Sequence, residues 1–247
     1  VGVLDTGIDI THPDLAENIY INPGEIAGNG IDDDDNGKID DVNGYNFLDG
    51  SPVVYNNADD DAHGTKVAGI IAAAANQTGM VGAAPKVKII PLKFMSGTSG
   101  NTSDAIEAIA YAKAMGVRII NCSFGSDESN FVLKEAMENS GLLFICAAGD
   151  INENSNIAYP AAYNLYNSVA VGAIDNTGAA CDFNNSGNTN DVFAPGKDIY
   201  TTVPGGGYDD VTGTSFATAF ATAAAAMAAS AAPGIGIEAL AQCVKNG

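Results

Sequence analysis

Three residues in this chain carry the groups needed for nucleophilic catalysis. Asp5 ends the apolar run of "VGVLDTGID", His63 stands in "DDDAHGTKVAGIIAAA", and Ser215 sits in "VTGTSFATAFATAAAA". A hydroxyl at a helix N-terminus is a routine cap, but there it also gains from unpaired backbone donors and the positive end of the helix dipole. An imidazole within reach can take its proton, and a carboxylate behind the imidazole holds the tautomer and stabilises the cation. Taken singly, Asp5 reads equally as a turn cap and His63 as a cap or core residue. The chain has two histidines, and the other, His12 in "THPDL", precedes a proline and reads as a loop residue. Asp, then His, then Ser is one of the chain orders in which such triads are built.

A fourth residue complicates that picture. In "GLLFICAAGDINENSN" the stretch Leu142 to Ala148 is apolar without charge or alternation, as a strand buried on both faces of a parallel sheet reads. It ends on Gly149 and a carboxylate, Asp150, at the strand end where open α/β sheets place their ligands and chemistry.

The elements that must position these groups alternate along the chain. Strands are expected at Val1–Leu4, Val87–Pro91, Val117–Cys122, Leu142–Ala148 and Ser168–Ala173. Helices are expected after His63, at Ser103–Met115 and Glu128–Asn139, from near Thr214, and over roughly Ile235–Val244. Such βαβ alternation predicts a parallel sheet with helices on both faces. Residues 20–60 form a long polar insertion after the first strand, and 150–167 and 176–190 read as Asn-rich loops. No repeat or linker divides the chain, so a single domain over residues 1–247 is expected.

Composition narrows the function classes. Hydrophobic residues at 46% with 16% charged describe a folded globule. A net charge of −20 argues against nucleic acid or an anionic membrane as partner. The Ala-rich stretch 217–232 is only weakly hydrophobic and reads as a small-residue helix inside the protein, so no membrane span is expected. The four cysteines lack metal-ligand spacing, and Cys122 and Cys146 lie in apolar runs, which predicts buried free thiols.

At the three candidate catalytic segments the sequence resembles the subtilisin-like serine proteases, the subtilases. "VLDTGIDITHPDL" is similar to that family's aspartate motif, "HGTKVAGII" to its histidine motif and "GTSFATAF" to its serine motif; "IINCSFG", "AYPAAYNLYNSVAVGA" and "DVFAPG" follow in family order. The resemblance implies a three-layer α/β/α sandwich around a mainly parallel sheet. It implies peptide-bond hydrolysis through an acyl-enzyme, with Ser215 the nucleophile, His63 the general base and then acid, and Asp5 the orienting carboxylate. It also implies that the chain, which opens directly on a strand, is a catalytic domain lacking its N-terminal segment and propeptide. The expected partners are a protein or peptide substrate and an N-terminal propeptide, around a monomer. The expected setting is extracellular or at the cell surface, with an intracellular one suited to free thiols as well.

Departures from the family pattern bear on the chemistry. Its "AAGN" segment ends in an Asn whose amide donates to the oxyanion, and here Asp150 stands in that place beside the Ser215 backbone N–H. An ionised carboxylate cannot donate, and losing one such donor lowers turnover by ~10²–10³, a figure that comes from subtilisin itself. A protonated carboxyl could donate, and the Ser215 N–H alone could serve a slow enzyme. The alternative is a catalytically weakened relative acting as a binding or regulatory scaffold. Lys66 and Ala219 replace a usual His and Pro without touching the triad.

The same resemblance assigns a substrate groove. Ser123, Phe124 and Gly125 would form one wall, Ser99, Gly100 and Asn101 the edge that pairs with substrate backbone, and Ala158 the floor of the first pocket. A small floor leaves room for a large apolar or aromatic side chain. Asp60 and Asp61 would lie where the next substrate residue passes, favouring a cationic one. In "IDDDDNGKIDDVNGYNF", Asp32, Asp34, Asn36, the Lys38 carbonyl and Asp40 follow the 1, 3, 5, 7, 9 spacing of a calcium loop, with Gly37 at the sixth place. The twelfth is Asn43 where such loops use Glu. A structural Ca²⁺ is therefore expected.

Overall fold

The computed structural model describes residues 1–151, 155–185 and 190–246, so parts of both Asn-rich loops lie outside the described residues. The first half of the chain forms strands β1 (Gly2–Asp5), β2 (Tyr45–Asn46), β3 (Ile90–Lys93), β4 (Met95–Ser96), β5 (Ser99–Gly100) and β6 (Ile119–Cys122), with helices α1 (Ala58–Ala72) and α2 (Thr102–Ala114). The second half adds α3 (Phe131–Ser140), β7 (Leu143–Ala147), β8 (Ser168–Ile174), β9 (Val192–Pro195), the hairpin β10 (Ile199–Val203) and β11 (Gly207–Val211), α4 (Thr214–Ala231) and α5 (Ile237–Lys245).

Seven strands make one sheet in the order β2-β3-β1-β6-β7-β8-β9, and every pairing in it is parallel. Side-chain alternation splits the core into two layers. Leu4, Leu92, Ile120, Phe144 and Cys146 pack beneath α2 and α3. Val3, Ile119, Leu143, Ile145, Val169 and Val171 face α1, α4 and α5 on the other side. This is the three-layer α/β/α arrangement, and each fully buried Leu, Ile or Phe within it contributes about 1.5–3 kcal/mol. The chain leaves β1 toward β3 on one side and later returns to β6 on the other. The C-terminal ends of β1 and β6 therefore flank the switch point where α/β sheets open a crevice.

Several boundaries differ from the sequence reading for local reasons. Helix α1 starts at Ala58, ahead of His63, because the Asn57 side chain caps it by accepting from Asp59 N and Asp60 N. Asp59, Asp60 and Asp61 make up its first turn, where carboxylates suit the helix dipole. Helix α3 likewise starts at Phe131, behind an Asn130 cap. Strand β3 is shifted to Ile90–Lys93, and β9 with the β10–β11 hairpin was not foreseen, since these mix polar and apolar residues. Helix α4 is long and apolar enough to cross a membrane by length and composition, but ten of its residues are buried against α1, α5 and the sheet. Among the four cysteines no disulfide forms; Cys122, Cys146 and Cys181 are buried and Cys243 is exposed.

Candidate active site

At the crevice Asp5 and His63 are in direct contact, and Ser215 lies on the neighbouring helix end, beside Phe216 whose ring is 5.7 Å from that of His63. Asp5 is the last residue of β1 and is 2% exposed. His63 lies in the second turn of α1, held against it at a close crossing. A Cβ on the next residue, Gly64, would stand 2.2 Å from Gly7 O and 3.3 Å from Asp5 Cβ, so only glycine fits there. The Thr6 hydroxyl accepts from Gly64 N at 3.2 Å and pins the same crossing. As a result His63 Nδ1 lies 2.8 and 3.0 Å from the two Asp5 oxygens. Nδ1 is the proton-bearing nitrogen facing a carboxylate, which leaves Nε2 as the acceptor.

Burial works against the charged ring, but the Asp5 carboxylate outweighs it through charge and hydrogen bond; Lys66 opposes and Asp150 adds. The net result raises the His63 pKa above the ordinary imidazole value.

Ser215 is the second residue of α4. Its Oγ donates to Ser123 O at 3.0 Å, while the Ser123 hydroxyl donates to Ser215 O at 2.8 Å. Ser123 is fixed in turn by Asn121 Nδ2 at 2.8 Å, and Asn121 Oδ1 accepts from Thr222 Oγ1 of α4 at 2.9 Å. This buried polar chain seats α4 on the end of β6. The Ser215 N–H finds no acceptor among the described residues, as expected at the second position of a helix. It is therefore free to serve an anion.

Asp150 lies against the same helix end. Its Oδ1 accepts from Thr214 N at 2.7 Å, so a carboxylate from the β7 end caps α4 across the crevice. Gly213 makes room, with a φ of +154° and a would-be Cβ 2.7 Å from Asp150 Oδ2. The Thr214 hydroxyl accepts from Gly149 N at 3.1 Å and closes the contact.

Two adjoining cavities run along the cleft. One of about 410 Å³ is lined by Ser123, Phe124, Gly125, Asp150, Ala158 and Ser215. The other, of about 500 Å³, is bordered by Ser99, Gly100 and Asn101 opposite Phe124 and Gly125. A Cβ on Gly125 would come within 2.7 Å of Ala158 Cβ, so the wall and the floor touch. Ser99 and Gly100 form the exposed strand of the β4–β5 hairpin. One groove assignment is corrected. Asp61 does not face the cleft: it is 0% exposed, paired with Lys93 and accepting from Asn56 N, because a buried carboxylate needs such partners. Asp60 remains exposed beside it.

The acidic loop is also arranged differently from the expected calcium spacing. Carboxylate oxygens of Asp32 and Asp34 converge with one from Glu25, all within 4.8 Å of one another. Glu25 Oε2 is buried without a protein partner among the described residues, as an oxygen held for a cation would be. Asp40 is turned away, its oxygens accepting from Asn29 N and Gly30 N. Asn36 Oδ1 accepts from Lys38 N, and the Lys38 ammonium pairs with Glu107 of α2. Glu25 escaped the sequence reading because it precedes the acidic run and only the turn at Asn22–Gly24 folds it back. Lys93 was missed too, although a lone cation inside "IIPLKF" was a usable signal.

Comparison with known proteins follows this geometry. The Subtilase family pattern matches residues 1–246. An intracellular serine protease of Paenibacillus polymyxa is 38% identical over 226 residues, covering 88% of this chain and 62% of that protein. The major intracellular serine protease of Bacillus subtilis (strain 168) is 37% identical, covering 88% and 64%. The chain thus spans under two thirds of the length of these curated relatives. Among solved structures, a cold adapted subtilisin-like serine proteinase aligns with a TM-score of 0.78 at 26% identity, over 99% of this chain and 80% of that one.

Proposed function

The chain belongs to the subtilase family, and on that basis we propose that it is the catalytic part of a serine endopeptidase acting through Asp5, His63 and Ser215. The observation that carries this reading is the His63 Nδ1 contact with Asp5 at 2.8 Å, which leaves Nε2 to handle a proton. In the proposed cycle a peptide carbonyl enters the cavity above Ser215, whose hydroxyl turns from Ser123 O toward His63 Nε2. His63 takes the proton as Oγ attacks, and Asp5 stabilises the imidazolium. The developing oxyanion is met by the Ser215 N–H. His63 then gives its proton to the leaving amine, and water repeats the sequence to release the acid.

Asp150 makes this a slow enzyme. Its Oδ1 is committed to Thr214 N, which leaves Oδ2, an oxygen that donates only when it carries a proton. A proton on Oδ2 would supply the missing donor, but the proposed base step needs neutral His63, so acid would help the oxyanion only at the expense of the base. The proposed first pocket, floored by Ala158, takes a large side chain. Glu25, Asp32 and Asp34 would hold a structural Ca²⁺, whose role is to tie the acidic loop and not to enter the reaction. Free thiols and the names of the two intracellular relatives support a reducing compartment in this reading more than export.

The alternative is a scaffold that binds peptides without cleaving them, and the Asp at position 150 is what favours it. The test is labelling by an irreversible serine-directed phosphonate, together with hydrolysis of a peptide library from pH 4 to 9. Labelling and cleavage that vanish in Ser215→Ala support the protease. Silence in both assays from a folded chain, with Asp150→Asn equally silent, supports the scaffold.

A further inference from the structure

A cation lies buried directly behind the proposed catalytic pair. Lys93, the last residue of β3, stands in register with Asp5 on β1, and it is 2% exposed. Its ammonium donates to Thr6 O, to Asp61 Oδ1 and to Met95 O, the last at 3.0 Å. An ammonium has three protons, so it is fully satisfied. Each acceptor belongs to a different part of the site. Thr6 follows Asp5, Asp61 precedes His63 on α1, and Met95 pairs with Gly100 in the hairpin that edges the groove. Asp61 is equally committed, its Oδ2 accepting from Asn56 N at 2.6 Å.

A buried ion pair is a poor way to gain stability, because desolvating both charges offsets most of their attraction, and well-packed neutral residues often do as well. What this pair supplies is direction: three donors with fixed targets. We propose that Lys93, with Asp61, is a positioning residue that sets Asp5, His63 and the substrate-edge hairpin in register with one another. The proposal rests on the protease reading for its kinetic consequences but not for its geometry. It touches neither substrate nor the reacting atoms.

The test compares the parent with Asp61→Asn and with the neutral double variant Lys93→Met/Asp61→Asn, which keeps a side-chain oxygen for Asn56 N. Melting temperature, kcat, KM and the low-field NMR signal of the His63 Nδ1 proton are read on each. The expected result is a folded double variant with roughly 10²-fold lower kcat/KM, split between a lower kcat and a higher KM, and a shifted or broadened His63 signal. Lys93→Met alone leaves a buried carboxylate unpaired and is expected to unfold more readily, so the double variant decides. A folded double variant with parental kcat, KM and His63 signal overturns the proposal. If the parent itself neither cleaves nor labels, the protease reading has failed separately. The His63 signal then decides alone: a change in the double variant supports positioning, and an unchanged signal overturns it.

Discussion

Asp150 Oδ1 accepts the backbone N–H of Thr214 at 2.7 Å, so the residue that the sequence resemblance sets in the place of a donor is used here as an acceptor. The carboxylate caps α4 one residue before the proposed nucleophile, Ser215. An asparagine could keep that contact through its carbonyl oxygen and turn its amide toward the oxyanion. Asp150→Asn is therefore expected to raise kcat on peptide anilides by about 10²-fold near neutral pH. No gain at any pH between 4 and 9 would sink the oxyanion assignment.

The acid limb of kcat/KM should report His63, whose pKa is raised mainly because Asp5 outweighs burial. In the proposed cycle neutral imidazole is the base, so the rate should climb only as pH passes that raised value. Replacing Asp5 by Asn should move the limb to lower pH and reduce kcat by about 10⁴-fold. The sign for stability is opposite. With the folded pKa above the unfolded one, the pair stabilises fully below the ordinary 6.5 and loses that contribution as pH rises through the folded value. The melting-temperature gap between parent and Asp5→Asn should thus be wider in mild acid than in alkali. Equal gaps at both ends would contradict the ion pair.

Calcium should stabilise the protein through Glu25, Asp32 and Asp34. At about 100 times Kd, binding adds about 2.7 kcal/mol, equivalent to a rise of roughly 5–10 °C in a domain of this size. Glu25→Gln should remove most of the rise, whereas Asp40→Asn should leave it intact, because Asp40 serves Asn29 N and Gly30 N. Calorimetry with calcium and with a chelator measures both. The opposite ranking would restore the evenly spaced calcium loop.

Ala158 floors the proposed first pocket, with its Cβ already 2.7 Å from where a side chain on Gly125 would begin. Ala158→Leu should lower kcat/KM for substrates with an aromatic residue before the cleaved bond by about tenfold or more, chiefly through KM. Substrates with Ala in that place should be little affected. A uniform loss across both substrate types would instead mean that the floor of the cleft has collapsed.

Much of this architecture was legible in residue order. The apolar runs at Leu143–Ala147 and Ile119–Cys122 carry no charge because both their faces are buried, and that alone marks central parallel strands. The small residues of α4 announced a tightly packed inner helix. Polar elements were harder. The β10–β11 hairpin, with "GYDDV" as its second strand, owes its position to Thr201 and Thr202 hydroxyls bonding Lys66 O and Thr65 O on α1, a contact no local pattern records.

What the sequence by itself determined was the inventory: an Asp at a strand end, a His, a Ser opening a helix, a carboxylate in place of an amide, and a run of acids. Those identities follow from side-chain chemistry and local periodicity, which a chain carries in its order. Which acids act together was decided only by the tertiary structure. Asp61 is withdrawn from the groove by Lys93 on a neighbouring strand, Asp150 is drawn to the Thr214 N–H, and Glu25 is folded back onto Asp32 and Asp34. A carboxylate takes the nearest donor or cation that burial permits, and that neighbour is set by how strands and helices cross, not by spacing along the chain.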